Sequence, residues 1–152
     1  MNTNKKNGET ATKELLAEIY RNVTMGSENL STVVPMIKDG ALLSNVTAQI
    51  EKYAEFTNRT GEQLKKHSEK PKEPTIMKKA MSRGGIAINT IFDSSDSHIA
   101  EMIERGTRTG VDQLERTMTD LRRRGCDDAS IGLCSEVITF ERREADRIKD
   151  YM

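Results

Sequence analysis

The stretch Glu69-Lys70-Pro71-Lys72-Glu73-Pro74 decides the architecture. It holds no apolar residue, and its two prolines make an extended, charged connection. On either side of it the apolar residues recur at spacings of three and four, the period of an amphipathic helix. No run of four or more residues alternates in the manner of a half-buried strand. The chain therefore reads as helices before the link and helices after it.

Immediately before the link, a helix from about Ala41 to Ser68 carries Leu42, Leu43, Val46, Ile50, Tyr53, Thr57 and Leu64 on one side. Ahead of it another runs from about Thr12 to Ile37, with Leu15, Ile19, Val23, Gly26, Leu30, Val33 and Ile37 in line. Pro35 falls in its last turn and Asp39-Gly40 marks the stop. The turn between these two helices is so short that they must be antiparallel neighbours.

After the link comes a shorter amphipathic segment over residues 75–92, with Ile76, Met77, Ala80, Met81, Gly84, Ile88 and Ile91 on one side and a bend at Gly84-Gly85. Asp93-Ser94-Ser95-Asp96-Ser97 then supplies break and N-cap residues. A third long helix reaches Arg124 with Ile99, Met102, Ile103, Gly106, Gly110, Leu114, Thr117 and Leu121 inward. Gly125 stands as its C′ residue, and Asp127 and Asp128 open a fourth helix carrying Cys134, Val137, Ile138, Glu141, Ala145 and Ile148. A link of about 27 residues can cross a bundle whose helix of about 26 residues is about 40 Å long, since an extended chain covers about 3.3 Å per residue. The expectation is an all-α four-helix bundle with one long crossover containing a short extra helix.

Composition agrees with one domain over residues 12–152, preceded by a polar, disordered tail over residues 1–11. The 152 residues are 35% hydrophobic and 32% charged, with no Trp and only 4% aromatic positions, which argues against a large β-sandwich or a deep aromatic pocket. The 24 basic and 24 acidic side chains balance, so no general basic field for nucleic acid is present. The basic runs Arg122 to Arg124 and Arg142-Arg143 have no interleaved aromatics, and a nucleic-acid partner is not expected. No apolar region follows Lys5 and Lys6, and no run approaches a membrane span, so neither a secretory signal nor a bilayer anchor is expected. Cys126 and Cys134 lie about 12 Å apart along a helix axis, too far to bridge without a bend. Two free thiols suit a reducing cytoplasm.

The layout and the local wording resemble the ferritin-like superfamily, in particular its small uncharacterised bacterial members. The segments that carry the resemblance are Ser97-His98-Ile99-Ala100-Glu101-Met102-Ile103-Glu104-Arg105-Gly106, the passage from Leu42 to Phe56, and the Glu69-Lys70-Pro71-Lys72-Glu73 link, within a match from about Leu15 to Tyr151. The resemblance implies a four-helix bundle and, in its metal-binding members, two metal ions held by one Glu on each of two helices and Glu-x-x-His on the other two. Glu-x-x-His occurs nowhere here, and the two histidines, His67 and His98, read as surface residues. At about 100° per residue, Glu18, Glu28, Glu51, Glu55, Glu101, Glu104 and Glu115 all lie more than about 110° from the centre of their apolar stripes and face water. Glu141 alone sits mid-stripe, with Glu144 flanking it at about 60°. One inward carboxylate cannot hold two hard cations.

A buried carboxyl needs a partner, and the candidates on the other helices are Tyr53, Thr57, Thr109 and Gln113, with Tyr53 of longest reach. Gly106-x-x-x-Gly110 is expected to bring its helix close against another. No phosphate loop, nucleophile elbow or Ser/His/Asp set is present. Two readings follow. The first is a non-enzymatic structural or interaction protein with no cofactor. The second is a metal-binding or oxidoreductase bundle with iron, manganese or zinc at an atypical site of Glu141 and Glu144. The apolar sides of the 75–92 segment, Ile86 on one and Ile88 and Ile91 on the other, point to a homodimer.

Overall fold

The computed structural model describes residues 2–67 and 93–152. Among the described residues lie four long α-helices and no strand: α1 (Asn2–Val33), α2 (Gly40–Lys66), α3 (Asp96–Arg123) and α4 (Asp128–Ile148). Short 3₁₀ turns follow α1 at Val34–Met36 and α4 at Lys149–Tyr151. None of these helices is long and apolar enough to cross a membrane.

The starts of α2, α3 and α4 are capped by the residue chemistry that competes with a helix interior and favours its end. The Asp39 carboxylate accepts the Leu42 N–H at 2.8 Å, so Asp39-Gly40 opens α2 and does not serve as the stop of α1. Ser95 accepts the His98 N–H at 3.2 Å, and Asp127 accepts the Ser130 N–H at 2.8 Å. Gly125 adopts a φ of 90° between α3 and α4, the left-handed C′ position that a side chain would strain.

Two sets of contacts fix the helix directions. At one end, the Asp96 carboxylate at the start of α3 accepts the N–H groups of Lys38 and Asp39 at 2.9 and 2.7 Å. At the other, the α3–α4 turn meets the early part of α1: Asp127 N–H donates to Thr12 Oγ1 at 3.0 Å, and Arg124 pairs with Glu14 at 3.3 Å. His67, at the end of α2, is half-buried at this same end, 3.7 Å from Asp127 and 3.8 Å from Glu9. Thus α1 and α4 run one way, α2 and α3 the other. Residues 67 and 93 lie at opposite ends of the bundle, as a single long crossover requires. The short helix expected over 75–92, with its Met77-Met81 stripe and its Ile86 and Ile88 sides, lies outside the described residues.

One hydrophobic core draws on all four helices. α1 buries Leu15, Ile19, Val23, Leu30 and Val33 along the expected line, but it begins ten residues early, which corrects the disordered tail over 1–11. The polar wording of that segment conceals a docking contact: Ala11 is fully buried, and a Cβ on Gly8 would stand 2.8 Å from the Gly125 carbonyl oxygen. In α2 the buried set is Leu42, Val46, Gln49, Tyr53, Phe56, Thr60 and Leu64, an unbroken three-four spacing that two polar members disguise. Leu43, Ile50 and Thr57 fall to its partly buried flank.

The largest correction concerns α3. Its inward line keeps the expected Ile99, Ile103, Leu114 and Leu121 but adds Ala100 and Val111, which turns Gly106 outward and leaves Gly110 half-buried. A Cβ on Gly106 would meet no described residue within 4 Å, so of the expected Gly106-x-x-x-Gly110 approach only Gly110 comes close, where a Cβ would stand 3.0 Å from Asn22 Nδ2 of α1. A closer approach occurs at Gly26 of α1, where a Cβ would stand 2.7 Å from the Tyr53 ring. Two substitutions should therefore act in opposite directions. Gly106→Ala should raise stability by about 0.5–1 kcal/mol through helix propensity alone. Gly26→Ala should lower it by about 1–3 kcal/mol through overpacking on Tyr53. Urea unfolding monitored by circular dichroism checks both signs.

Candidate functional site

Glu141 stands on the buried face of α4, 2% exposed, among Val137, Ile138 and Ala145. Tyr53 of α2 reaches it: the phenol Oη donates to Glu141 Oε1 at 3.0 Å. The ring is positioned edge-on to Phe140 of α4, with centroids 5.2 Å apart and planes at 85°, and it lies over Gly26 of α1. Asn22, one turn before Gly26 on α1, donates from Nδ2 to Glu141 Oε2 at 3.4 Å. Asn22 was not apparent in the sequence, because a lone amide on the flank of an apolar stripe carries no signal of its partner.

The other expected partners do not converge on Glu141. Thr57 donates back to the Tyr53 carbonyl at 2.8 Å, and exposed Thr109 does the same to Arg105 at 3.0 Å. Gln113 is exposed. Thr109 and Gln113 follow the rotation of α3, which carries them away from the core along with Gly106. Glu144 is 6% exposed, and its Oε1 accepts from Arg143 Nε at 3.3 Å and Arg147 at 3.4 Å.

Burial dominates the electrostatics. It pushes the Glu141 carboxyl up from 4.5 to about 7, against the opposing hydrogen bonds from Tyr53 and Asn22. The Tyr53 phenol is raised by its own burial, then by the negative charge of Glu141. Burial, with Glu141 nearby, lifts the Cys134 thiol to about 12, and burial also raises Cys126. Both cysteines are free and buried. A thiol held this high is not a nucleophile near neutral pH.

Above this group opens a cleft of about 580 Å³ between α1 and α3. Its walls include Met25, Leu30 and Val33 from α1 and Met102, Ile103 and Leu114 from α3, and Tyr53, Asn22 and Glu141 also line it. The side-chain-free positions Gly106 and Gly110 give the α3 wall its depth. Glu18 and Arg21, also on the wall, form an ion pair with each other.

The donor set does not fit the metal centre that the family resemblance implies. Among the described residues no three His, Cys, Asp or Glu side chains come together as ligands. Around Glu141 the polar neighbours are a phenol and an amide, and Glu144 is engaged by two arginines. Of the basic runs, Arg124 pairs with Glu14, Arg142 with Glu115 and Arg143 with Glu144. No protein-family model, curated protein or solved structure matches the chain.

The raised carboxyl makes stability depend on pH. The folded state binds the Glu141 proton more tightly than the unfolded chain does. The contribution is therefore complete below about pH 4.5 and is lost as pH rises through 7, with a full change on the order of 3 kcal/mol. Glu141→Gln keeps the shape and cannot ionise. Its stability should fall less than that of the wild type between pH 5 and 8, and the two should be closest in the alkaline limit or cross there. Urea midpoints across that range give the difference; parallel curves would place the titration elsewhere.

Proposed function

We propose that the chain is a non-enzymatic helical-bundle protein of ferritin-like type, which holds a partner molecule in the cleft between α1 and α3 and lacks the di-metal site of the metal-binding members. The crossover between opposite ends of the bundle supports the ferritin-like reading. The cleft itself carries the functional one. Monomeric proteins keep few large apolar hollows, and a volume of about 580 Å³ falls in the range used for small ligands. Walls with Met and branched aliphatics, and a few convergent polar groups at the base (Glu141, Tyr53 and Asn22), match the usual make-up of such sites.

Catalysis finds less support. The acid at the base of the cleft faces a phenol with a raised pKa, and the two thiols are buried and hard to ionise. Cytoplasmic residence suits a chain with two buried free thiols. Homodimerisation rests on the apolar sides of the 75–92 segment, outside the described residues. Among the described residues Met152 is the large apolar side chain left exposed, at 51%.

Filling the cleft tests this reading. Gly106→Phe adds a ring where open space lies, so the bundle should fold with little change in melting temperature. Nile red, a neutral apolar fluorophore, should bind the wild type at about one equivalent and bind the variant at least tenfold more weakly. Unchanged binding in the variant, or no binding to the wild type, would overturn the proposal.

A further inference from the structure

The base of the cleft has hydrogen-bond acceptors to spare and no cation to meet them. Glu141 Oε1 is satisfied by the Tyr53 phenol, but Oε2 receives only the Asn22 amide at 3.4 Å, beyond the usual range for such a bond. Asn22 Oδ1 is buried and has no hydrogen-bond partner among the described residues. Buried acceptors left in this way are costly, and few native structures keep many of them. Glu141 makes no ion pair with a described residue; the guanidinium on the cleft wall, that of Arg21, is held by Glu18.

The side-chain-free face of Gly110 lies beside these acceptors. A Cβ there would stand 3.0 Å from Asn22 Nδ2 and 3.9 Å from Glu141 Oε2, so glycine lets the α3 wall of the cleft lie directly against both groups. What enters must bring donors. A carboxylate or phosphate would be repelled by Glu141, and a neutral hydrocarbon would leave both acceptors unmet. A protonated primary amine supplies three N–H donors and the missing positive charge in a compact head. The apolar walls above then cover a hydrocarbon body, and Met25 and Met102 can adapt to its shape.

We propose that the cleft is a binding site for an amphiphilic primary amine, its ammonium group seated between Glu141 Oε2 and Asn22 Oδ1 and its apolar body lying between α1 and α3. This assignment rests on the cleft-binding reading and narrows it to one ligand class. The raised carboxyl agrees with it, since a cationic guest would stabilise the charged form that burial disfavours.

The test compares three probes of equal chain length on the full chain at pH 8: n-octylammonium, octan-1-ol and octanoate, each titrated against bound Nile red. Octylammonium should displace the dye at least tenfold more effectively than octanol, and octanoate should be the weakest. In Glu141→Gln the advantage of the ammonium over the alcohol should shrink to less than threefold while octanol is unaffected. Gly110→Ala is a second variant that leaves the carboxylate in place and presses a methyl group onto the Asn22 amide beside it. It should likewise cost octylammonium more than octanol, with circular dichroism confirming that both variants fold. Equal displacement by ammonium and alcohol, preference for octanoate, or a preference that survives Glu141→Gln overturns the amine assignment and leaves the cleft reading standing. Failure of every probe and of Nile red itself, or sedimentation showing the cleft closed by a second copy, overturns both.

Discussion

Burying one carboxyl group without a counter-charge constrains every helix of the bundle. Glu141 comes from α4, and the free energy of taking it out of water must be offset by dipoles, because no described cation reaches it. The phenol of Tyr53 comes from α2, and it occupies its place only because α1 has glycine at 26, where a side chain would strike the ring. The amide of Asn22 comes from α1, and it occupies its place against glycine at 110 of α3. Four helices thus meet at one level of the bundle through a carboxyl, a phenol, an amide and two absent side chains. Phe140, edge-on to Tyr53, and Phe56, tilted against Phe140 at 5.6 Å, close the α2–α4 side with the chain's scarce aromatics.

Most of the helix pattern was legible before the structure, because an apolar residue every three or four positions leaves few alternatives to a helix. The caps at Asp127 and the left-handed turn at Gly125 were equally plain, since those residue types perform the same local chemistry wherever they stand. The buried position of Glu141 and its bond to Tyr53 followed from one acid interrupting an otherwise apolar stripe. What escaped was rotation. On α2 the true seam runs through Gln49 and Thr60, and reading only apolar residues shifts it toward Leu43 and Ile50. On α3 the seam runs through Ala100 and Val111, and two glycines gave no direction of their own to correct the error.

The early start of α1 escaped for a related reason. Residues 3–10 contain no apolar anchor, so periodicity cannot see them as helix. Their order comes from backbone approach at Gly8, from Ala11 in the core and from the Thr12 hydroxyl beside the α3–α4 turn. Contacts of this kind join residues more than a hundred positions apart, and no local pattern encodes them.

The glycines also explain why this bundle has a cleft at the level where a di-metal four-helix bundle has ligands. A di-metal bundle directs acids from all four helices to the axis. Here α3 presents Gly110 at the level of Glu141 and α1 presents Gly26 and the Asn22 amide, so neither helix brings an acid and the cleft continues outward past Gly106. Such space is not free: apolar walls that face no neighbour forgo dispersion contacts, and glycine within a helix gives up about 1 kcal/mol against alanine at each site. At Gly110 the loss has a structural return, since it admits Asn22. At Gly106 no contact with a described residue offsets it, and an alanine Cβ would touch none of them. Local rules broken without a compensating contact mark places where packing alone does not decide the sequence. Gly106 breaks such a rule on the wall of a hollow that leads to a buried carboxyl without a described counter-charge, and a molecule bound there would supply the contacts that the bundle omits.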